Sequence, residues 1–436
     1  MTSGSAAFIL ILMNYQFFIQ SLGCKVNQYD GASLAASLES LGLQPSAEKP
    51  DLVILNTCTV TKNAITKDRQ TLNSLKRKYP WAKFVVMGCW PQTSGKNIKA
   101  FDSEGVFWWG VGKPEELLSF VKKWFPLSRE KNLTSENGLA LTDDLSRYFL
   151  KIGDGCNQFC TYCLIPYARG PIKSRKIEEL ITEAKRAIEV GLQEIVLTGI
   201  HLGRYGQDFS DGKTSLNLLL RSLLALPGLG RIRLSSIEIN EVDDELIDLI
   251  KNNPKICRHL HISLQSGCDK ILKLMRRPYN TNYFQERVEK IREFLPEISL
   301  TTDIIAGFPG ETPEDFLCTK EFSEKIAFSK IHVFPFSAHQ ETPAFSLPDQ
   351  VNILEIKNRA KVLREVSKSL EKKYRQEVLA VFKGQQIPVI LEALIGDKAR
   401  LKTEFYFDFL LPLEKINLNQ KEVEKKIGQI LMLKID

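Results

Sequence analysis

The chain has 436 residues, of which 43% are hydrophobic and 25% are charged, and its net charge is +7. This composition is typical of a globular protein, and the length predicts two or three domains. No stretch is long and apolar enough for a membrane helix, so we expect no membrane association. Nine cysteines without a secretory signal predict metal-binding or catalytic thiols in a reducing, cytoplasmic environment. The mildly basic charge permits a nucleic-acid partner without requiring one.

The chain begins with a short apolar run, from Ala6 to Met13. This run is too short to span a bilayer, and no Lys or Arg precedes it as in a signal peptide. We interpret residues 1–12 as lying before the start of the protein, with Met13 as the candidate initiator methionine.

From Tyr15 to about Phe125, apolar runs alternate with helical patterns, which predicts a parallel α/β domain over residues 13–125. The predicted strands are Tyr15–Leu22, Leu52–Asn56 and Phe84–Gly88. The predicted helices are Gln28–Leu41, Thr61–Tyr79 and Pro114–Trp124. The polar and poorly periodic residues 126–146 that follow are predicted to form a linker.

Each predicted strand of this domain ends in a turn that carries a cysteine, and these N-terminal cysteines are Cys24, Cys58 and Cys89. Ligands bind beyond the carboxyl ends of the strands in an open α/β sheet, so the three thiols should converge on one crevice. Three thiolates there could hold an iron–sulfur cluster with one open iron. The alternative is three unrelated buried cysteines. Gly23 and Gly88 suit turns in which the backbone approaches a ligand closely.

The barrel cysteines, Cys156, Cys160 and Cys163, form a Cys-x3-Cys-x2-Cys pattern. Three thiolates at this spacing can ligate three corners of an iron–sulfur cube and leave the fourth iron open to a chelating substrate. The alternatives are a zinc site or a chance cluster of buried thiols. A zinc site usually has a fourth Cys or His at short range, and the next histidine is His201.

Six strand–helix units between Arg147 and about Phe336 predict a partial (β/α)6 barrel with its chemistry at the carboxyl ends of the strands. The predicted strands are Tyr148–Ile152, Glu194–Leu197, Arg231–Ser236, His259–Leu264, Leu300–Ile305 and Lys330–Phe334. The predicted helices are Ile177–Val190, Ser215–Ala225, Asp243–Lys251, Tyr283–Phe294 and Pro313–Ile326. The barrel cysteines follow the first strand, and we assign residues 147–375 to this core.

Polar residues and glycines follow the later strands of this barrel, where a cofactor would bind. The candidate contacts are Thr198, Gly199, Ser236, Glu238, Gln265 and Gly307. A hydroxyl and a carboxylate could hold a ribose, and glycines let the backbone approach a ligand. Capping and turn roles are the alternative for each of them. Arg169 and Arg175 could clamp a phosphate or carboxylate near the cofactor, or could serve as capping or surface charges.

The remaining cysteines, Cys257, Cys268 and Cys318, lack metal-binding spacing, and we interpret them as packing residues. His259 and His261 lie on one face of a predicted strand, where we expect a buried, hydrogen-bonded role. None of these five residues is a predicted metal ligand.

Residues 350–383 predict a basic amphipathic helix whose charges form a solvated face. The predicted strands Gln386–Glu392, Lys398–Lys402, Phe405–Leu411 and Gln429–Leu433 follow it. They indicate a small β-barrel of the kind that binds RNA, over residues 376–436. The rings of Phe405–Phe407 could stack on bases, although aromatic residues in strands more often belong to the core.

Seven motifs of this chain, spread over nearly its whole length, occur together in one known family. They are Ser21-Leu22-Gly23-Cys24-Lys25-Val26-Asn27-Gln28-Tyr29, Asn56-Thr57-Cys58-Thr59-Val60, Gly88-Cys89, Gly155-Cys156 through Arg169-Gly170, Leu197-Thr198-Gly199, Ser263-Leu264-Gln265-Ser266-Gly267 and Gly307-Phe308-Pro309-Gly310-Glu311. Together they resemble the methylthiotransferases, radical S-adenosylmethionine (SAM) enzymes that insert sulfur and a methyl group into an unactivated C–H bond.

Two of the motifs indicate a branch of that family. Residues 23–28, Gly-Cys-Lys-Val-Asn-Gln, and residues 166–170, Pro-Tyr-Ala-Arg-Gly, look most like the branch that acts on N6-threonylcarbamoyladenosine at position 37 of tRNA. The branch acting on isopentenyladenosine usually has Gly-Cys-Gln-Met-Asn, and the branch acting on a ribosomal-protein aspartate has Gly-Cys-Pro-Lys-Asn. The terminal β domain resembles the family's TRAM domain only loosely, because few of that domain's glycines are present.

The resemblance implies two [4Fe–4S] clusters, one on the barrel cysteines and one on the N-terminal cysteines, together with SAM. It implies reductive cleavage of SAM at the barrel cysteines and hydrogen abstraction from C2 of the adenine by the resulting 5′-deoxyadenosyl radical. Sulfur would be delivered from the N-terminal cysteines, so both sites should face one cavity that accepts an unstacked base of the anticodon loop. The implied partners are tRNA and an electron donor such as flavodoxin or ferredoxin.

Two alternatives stay open at this point. The same chemistry could act on isopentenyladenosine at position 37 of tRNA, or on a ribosomal-protein aspartate. A protein of a different class, a non-catalytic iron–sulfur RNA-binding protein, would bind RNA without cleaving SAM.

Overall fold

The computed structural model describes residues 15–59, 61–95, 98–112, 114–125, 139 and 146–435. The chain divides into two compact units, residues 1–59 with 63–141 and residues 60–62 with 142–436. The apolar start from Ala6 to Met13 lies outside the described residues, as does the predicted linker 126–146 except for residues 139 and 146. Among the described helices, none is both long enough and apolar enough to cross a membrane.

The first unit is a parallel sheet with helices between its strands. Its strands are β1 (Gln16–Ser21), β2 (Gln44–Pro45), β3 (Leu52–Thr57), β4 (Lys83–Gly88), β5 (Ala100–Phe101) and β6 (Val106–Gly110). Its helices are α1 (Lys25–Ser40), α2 (Lys62–Lys78), α3 (Cys89–Thr93) and α4 (Pro114–Trp124). The strands pair in the order β2-β1-β3-β4-β6-β5, and only the β5–β6 pair is antiparallel. The predicted parallel α/β fold is confirmed, although the sequence prediction missed β2, β5 and β6.

The central strand β3 is buried on both faces, because helices cover both sides of the sheet. Its side chains alternate between two cores. Leu52 and Ile54 pack with residues of α1 and α4, whereas Val53 and Leu55 pack with residues of α2. Since β1, β3 and β4 are parallel neighbours, their carboxyl ends lie at one edge of the sheet.

The second unit begins with seven parallel strand segments and one short antiparallel pair. The strands are β7 (Tyr148–Lys151), β8 (Gly153–Asp154), β9 (Lys173–Ser174), β10 (Glu194–Thr198), β11 (Arg231–Leu234), β12 (Ser236–Ile237), β13 (His259–Ile262), β14 (Ser299–Ala306) and β15 (Lys330–Pro335). One parallel sheet has the order β11-β10-β7 and the other β12-β13-β14-β15, while β8 pairs antiparallel with β9. A parallel bridge between Ile232 and Ile256 joins β11 to the segment that precedes β13.

Helices connect these strands as a partial barrel requires. They are α5 (Ile165–Arg169), α6 (Ile177–Glu189), α7 (Leu216–Leu224), α8 (Asp244–Asn252), α9 (Asp269–Leu274), α10 (Thr281–Phe294), α11 (Pro313–Ile326) and α12 (Ile353–Val381). Caps fix several starts: the Thr312 hydroxyl accepts from the Asp315 amide (3.2 Å), and the Asp315 carboxylate accepts from the Thr312 amide (2.9 Å). The six predicted strand positions are confirmed, with the third divided into β11 and β12.

The chain ends in a small antiparallel β domain, as the sequence predicts. Its elements are β16 (Gln386–Ile395), β17 (Lys398–Thr403), β18 (Asp408–Pro412), α13 (Gln420–Lys426) and β19 (Ile430–Lys434). The strands pair in the order β18-β17-β16-β19, which is a four-stranded sheet where the sequence predicted a small barrel. Phe405 and Phe407 are buried in a cluster with residues of α12, so they belong to the core and do not form an open stacking surface. Tyr406 stacks on His259, with ring centroids 4.4 Å apart.

A buried ion cluster fastens this β domain to the barrel. The Glu194 carboxylate accepts from Arg231 Nε (2.5 Å) and from Arg233 Nε (2.8 Å), and its side chain is fully buried. Arg233 also donates to the carbonyl oxygens of Thr403 and Glu404, at 2.9 and 2.8 Å. A strand of the barrel therefore holds the backbone of the β domain through charged hydrogen bonds.

Two of the remaining cysteines and one histidine are buried, as predicted. Cys257 and Cys268 are buried, and His259 Nε2 lies 2.9 Å from the Thr301 hydroxyl. The packing interpretation of Cys318 is wrong, because this residue lies on the exposed face of α11.

Candidate functional site

The barrel cysteines lie in a loop that follows β8 and is held from both sides. Gly155 has a φ of +71°, and a Cβ there would lie 2.0 Å from the Pro171 carbonyl oxygen, so only glycine fits. The Cys156 amide donates to the Gly170 carbonyl at 3.0 Å. Thr161 donates through its amide and its hydroxyl to carbonyl oxygens at the end of α9, at 3.2 and 2.9 Å. These hydrogen bonds hold the loop against the rest of the barrel.

A histidine contacts the first cysteine of this loop. His201 Nδ1 lies 3.3 Å from Cys156 Sγ, and His201 Nε2 lies 2.7 Å from Glu241 Oε1. Burial opposes protonation of this imidazole, but its hydrogen bonds to Cys156 and Glu241 outweigh burial and raise the pKa of His201 to about 9. His201 is thus an oriented N–H donor beside a predicted cluster ligand.

An arginine contacts the second cysteine in a similar way. Arg277 Nη1 donates to Cys160 Sγ at 3.4 Å, and the guanidinium pairs with the Glu238 carboxylate. It also donates to the Tyr279 hydroxyl at 2.7 Å, which in turn donates to the Ser263 carbonyl at 2.5 Å. Arg277 is buried, so its charge acts on the thiol with little screening by solvent.

Burial disfavours ionisation of two thiols of this loop, those of Cys160 and Cys163. It raises the pKa of Cys160, against the opposing effect of Arg277, and it raises the pKa of Cys163 to about 12. Cluster binding must therefore displace protons from these thiols. Within the described ranges, no group of three or more His, Cys, Asp or Glu side chains forms a site for a metal ion. The thiolates of a cluster bond to separate irons, so they are spaced more widely than the ligands of one ion.

The predicted cofactor contacts lie at the carboxyl ends of the barrel strands, as expected. Thr198 ends β10 and Gly199 follows it, Ser236 begins β12 and Glu238 follows it, Gln265 lies three residues beyond β13, and Gly307 follows β14. Gln265 has a φ of +70°, and its backbone is held by hydrogen bonds to Asp303 and Ile305 at 2.8 and 2.9 Å. Contact of these six residues with a cofactor stays a prediction.

Two of these positions also have local structural reasons. Gly307 has a φ of +75°, and a Cβ there would lie 2.4 Å from a side-chain carbon of Ile356 in α12. The Gly307 amide donates to Glu311 Oε2 at 2.8 Å. Glu238 is paired with Arg277, so its carboxylate is oriented by the same group that contacts Cys160.

The two arginines of the loop are engaged within the chain. Arg169 Nη1 lies 2.7 Å from Asp154 Oδ2, and Lys151 Nζ lies 2.6 Å from the same oxygen. Burial alone would raise the pKa of Asp154, but the two cations outweigh it and lower that pKa to about 2. Arg175 pairs with Glu183 at 2.6 Å. Arg169 therefore braces the loop, and its contact with a cofactor stays a prediction.

The N-terminal cysteines follow three neighbouring parallel strands of the first unit. Cys24 precedes α1, Cys58 follows β3, and Cys89 begins α3 directly after β4. Ser21 pairs with Asn56 across β1 and β3, so these strands end in register. The structure places all three cysteines at one edge of the sheet, as the sequence predicts, and their role as ligands stays a prediction.

Two glycines bring the backbone close to these cysteines. Gly23 has a φ of +99°, and a Cβ there would lie 2.9 Å from Cys58 Sγ, so the chain entering Cys24 lies directly against Cys58. Gly88 has a φ of +93°, and a Cβ there would lie 2.4 Å from the Thr57 carbonyl oxygen. The close approach of the three turns therefore depends on glycine.

Buried polar residues fix this strand edge. The Asn27 side-chain amide donates to the carbonyl oxygens of Leu22 and Thr57, at 3.0 and 2.6 Å. The Cys58 amide donates to Asp68 Oδ2 at 3.2 Å. Burial raises the pKa of Asp68 to about 7, although the hydrogen bond from Cys58 opposes the shift. Asn27 belongs to a sequence motif, whereas nothing in the sequence distinguishes Asp68 from the surface charges of α2.

Comparison with known families matches both units. Residues 16–110 match the uncharacterized protein family UPF0004, and residues 150–322 match the radical SAM superfamily. Among solved structures, the radical S-adenosylmethionine methyltransferase TsrM from Kitasatospora setae superposes with a TM-score of 0.56 at 15% identity, covering 76% of this chain and 77% of TsrM. This structural similarity supports the fold alone.

Curated relatives are similar over much greater lengths. The threonylcarbamoyladenosine tRNA methylthiotransferase MtaB of Bacillus subtilis is 34% identical over 95% of this chain and 92% of its own length. The protein of the same name from Thermotoga maritima is 37% identical over 86% of both chains. With both cysteine sets at the strand ends that these matches span, the chain belongs to the methylthiotransferase family of radical SAM enzymes.

Proposed function

We propose that this chain adds a methylthio group to C2 of N6-threonylcarbamoyladenosine at position 37 of tRNA. The observation that carries the proposal is the pair of cysteine sets, each at the carboxyl ends of parallel strands in its own unit. Its relatives MtaB of Bacillus subtilis and Thermotoga maritima are named for this reaction. The lysine and valine of the Gly-Cys-Lys-Val-Asn-Gln motif support this branch over the isopentenyladenosine branch.

The enzyme uses two [4Fe–4S] clusters and SAM. When bound, these groups supply the radical that activates the C–H bond and the sulfur that replaces its hydrogen. The residues present fit such groups, because each set offers three free cysteines whose sulfur atoms are soft donors. We propose the barrel cysteines as ligands of the cluster that binds SAM, and the N-terminal cysteines as ligands of the second cluster.

The side chains around the barrel cysteines favour the ligated form of the thiols. His201 and Arg277 each direct an N–H group at a cysteine sulfur, which stabilises negative charge there. Both donors are buried and paired with carboxylates, so they hold their orientation and keep water from the sulfur atoms. We propose that Glu238 and Gln265, at neighbouring strand ends, orient the nucleoside part of SAM.

The N-terminal cysteines differ from one another in access to solvent. Cys58 and Cys89 are buried, whereas Cys24 is exposed. We propose that a sulfur source and the substrate base reach this site from the side of the exposed Cys24. The buried Cys58 and Cys89 hold the other side of the site to β3 and β4.

We further propose an assignment for the parts of the chain and for its partners. Residues 13–125 form the N-terminal methylthiotransferase domain, 126–146 a linker, 147–375 the radical SAM core, and 376–436 an RNA-binding domain. The enzyme works in the cytoplasm and receives electrons from a donor such as flavodoxin or ferredoxin.

The function is tested by mass spectrometry of tRNA nucleosides. A strain lacking the gene should lose 2-methylthio-N6-threonylcarbamoyladenosine and keep N6-threonylcarbamoyladenosine, and the gene on a plasmid should restore the product. Loss of the 2-methylthio form of isopentenyladenosine instead would assign the chain to the sister branch. If SAM and a reductant are added and the tRNA gains no methylthio group and no 5′-deoxyadenosine forms, the non-catalytic alternative is favoured.

A substitution in one cysteine set should cause a different defect from a substitution in the other set. Cys160→Ala should abolish SAM cleavage, whereas Cys58→Ala should retain SAM cleavage and block methylthiolation. Each variant should fall from about eight irons per chain to about four after anaerobic reconstitution. SAM cleavage by Cys160→Ala at the wild-type rate would contradict the assignment of the barrel cysteines.

A further inference from the structure

Helix α2 of the first unit carries an unusually one-sided charge. Its 17 residues contain six basic side chains and one acidic side chain, Asp68. Asp68 is buried, so its carboxylate does not lie on the exposed face of the helix. Of the basic residues, Lys76 pairs with Glu104 at 2.7 Å, and no described carboxylate pairs with Lys67 or Arg77.

The basic helix singled out by the sequence, α12, is different. Its 29 residues carry eight basic and four acidic side chains, spaced so that carboxylates lie among the cations. Arg359 pairs with Glu355 at 2.8 Å, and Lys373 lies 3.9 Å from Glu377. Acidic residues of α12 therefore neutralise part of the positive charge of that helix, whereas the positive charge of α2 is not neutralised within the helix.

The exposed side of α2 forms a polar stripe. The stripe consists of Asn63, Lys67, Gln70, Ser74 and Arg77, all exposed and spaced by four, three, four and three residues. This spacing puts them on one face of the helix, opposite the buried Leu72 and Leu75. Lys67 and Arg77 lie about 15 Å apart along the helix axis, a span of several nucleotides.

The chemistry of this stripe suits a nucleic-acid backbone better than a protein surface. Its side chains are two cations, two amides and one hydroxyl, which are the groups that bind phosphate oxygens and 2′-hydroxyls. It lacks the aromatic and aliphatic anchors that protein interfaces bury. The helix also follows Cys58 along the chain, so a backbone held on α2 would lie beside the unit that carries the N-terminal cysteines.

We propose that this stripe of α2 binds the phosphate backbone of the substrate tRNA. The inference that the bound RNA is the substrate tRNA rests on the proposed function. The inference that the stripe binds phosphates rests only on its own side chains. Its contacts are with phosphates and sugars, so it contributes affinity and register and leaves base recognition to other parts of the enzyme.

The test is the salt dependence of tRNA binding by the full-length, reconstituted enzyme. The probe is fluorescently labelled tRNA that carries N6-threonylcarbamoyladenosine at position 37, and the readout is fluorescence anisotropy. The double variant Lys67→Gln/Arg77→Gln should bind more weakly, and the slope of log K against log salt should fall by about 2, or about 1 per residue. The matched control, Lys368→Gln/Lys372→Gln on the exposed face of α12, should keep the wild-type slope.

A wild-type slope and affinity in the α2 variant would overturn the inference, as would an equal loss in the α12 control. A thermal melt of each variant separates weaker binding from weaker folding, and exposed substitutions of this kind should leave the melt nearly unchanged. A different result would contradict the proposed function without contradicting this binding surface. If wild-type enzyme binds tRNA through α2 but forms no 2-methylthio product, the surface stands and the reaction assignment falls.

Discussion

Glu238 and Glu241 lie three residues apart, and each carboxylate orients a cationic side chain toward a different barrel cysteine. Glu241 Oε1 lies 2.7 Å from His201 Nε2, and Glu238 pairs with Arg277. In each case the carboxylate fixes the orientation of the N–H donor, as outer partners of metal ligands commonly do. One short turn after β12 therefore controls the surroundings of two of the three thiols.

Replacing Arg277 by Gln should make the barrel cluster harder to reduce. The change removes a buried cation and an N–H donor beside Cys160 Sγ, and reduction adds negative charge to the cluster. We expect a lower midpoint potential in a redox titration followed by electron paramagnetic resonance. Arg276→Gln, at the exposed neighbouring position, is the matched control and should keep the wild-type potential.

The Arg277→Gln variant also leaves Glu238 buried without its cation, which can destabilise the protein by about 3–5 kcal/mol. The double variant Glu238→Gln/Arg277→Gln removes both charges and should fold better than the single variant. A wild-type midpoint potential in a folded Arg277→Gln protein would contradict the electrostatic role of this residue.

Sequence alone could predict that the six cysteines follow strands, but it could not predict the groups that contact the barrel cysteines. The barrel cysteines share a local pattern, and the N-terminal cysteines share equivalent positions after strands. His201 and Arg277 lie 45 and 117 residues from the cysteines that they contact, so only the barrel fold brings them together. A lone His or Arg on a loop carries no spacing signal of its own.

At the scale of elements, the N-terminal site depends on parallel strands that end in register. Thr57 pairs with Gly88 across β3 and β4, so the residues that follow them, Cys58 and Cys89, emerge at the same level. This register could be predicted from the alternation of strands and helices. Strand β6 was missed because a short apolar run such as Val106–Gly110 fits a strand or a buried helix segment equally well by periodicity.

Gly88→Ala should damage the N-terminal site more than an equal backbone strain elsewhere. At Gly88 the added Cβ would meet the Thr57 carbonyl oxygen at 2.4 Å, in addition to the strain of a φ of +93°. Gly42 has the same φ, and a Cβ there has no neighbour within 4 Å, so Gly42→Ala measures strain alone, about 1–3 kcal/mol.

We expect Gly88→Ala to melt at a lower temperature than Gly42→Ala. It should also bind about four irons per chain while Gly42→Ala binds about eight, because displacement of β4 moves Cys89. Equal melting temperatures and equal iron contents for the two variants would show that close packing at Gly88 is unimportant for the site.

At the scale of the whole molecule, the terminal β domain is part of the second unit and is joined to it by buried charges. Glu194, Arg231 and Arg233 lie on adjacent barrel strands, and the arginines reach backbone carbonyl oxygens of the β domain. The sequence predicted the strands of both parts but not this junction. Charged residues in a strand usually face solvent, and only the tertiary fold shows which carbonyl groups meet these arginines.

Glu194→Gln should destabilise this junction strongly near pH 7, by about 3–5 kcal/mol, because it leaves two buried guanidinium groups without their carboxylate. Burial alone would raise the pKa of Glu194, but Arg233 and Arg231 outweigh it and hold that pKa well below its usual range. Because this pKa is lower in the folded state, the ionised carboxylate stabilises the protein at pH values above its unfolded-state pKa of about 4.3. This stability is lost as the pH falls below that value. In urea unfolding, the difference between wild type and Glu194→Gln should therefore shrink below about pH 4. The exposed pair Arg221–Glu245, 3.0 Å apart, supplies the control, and an equally large loss in Glu245→Gln would contradict the role of burial.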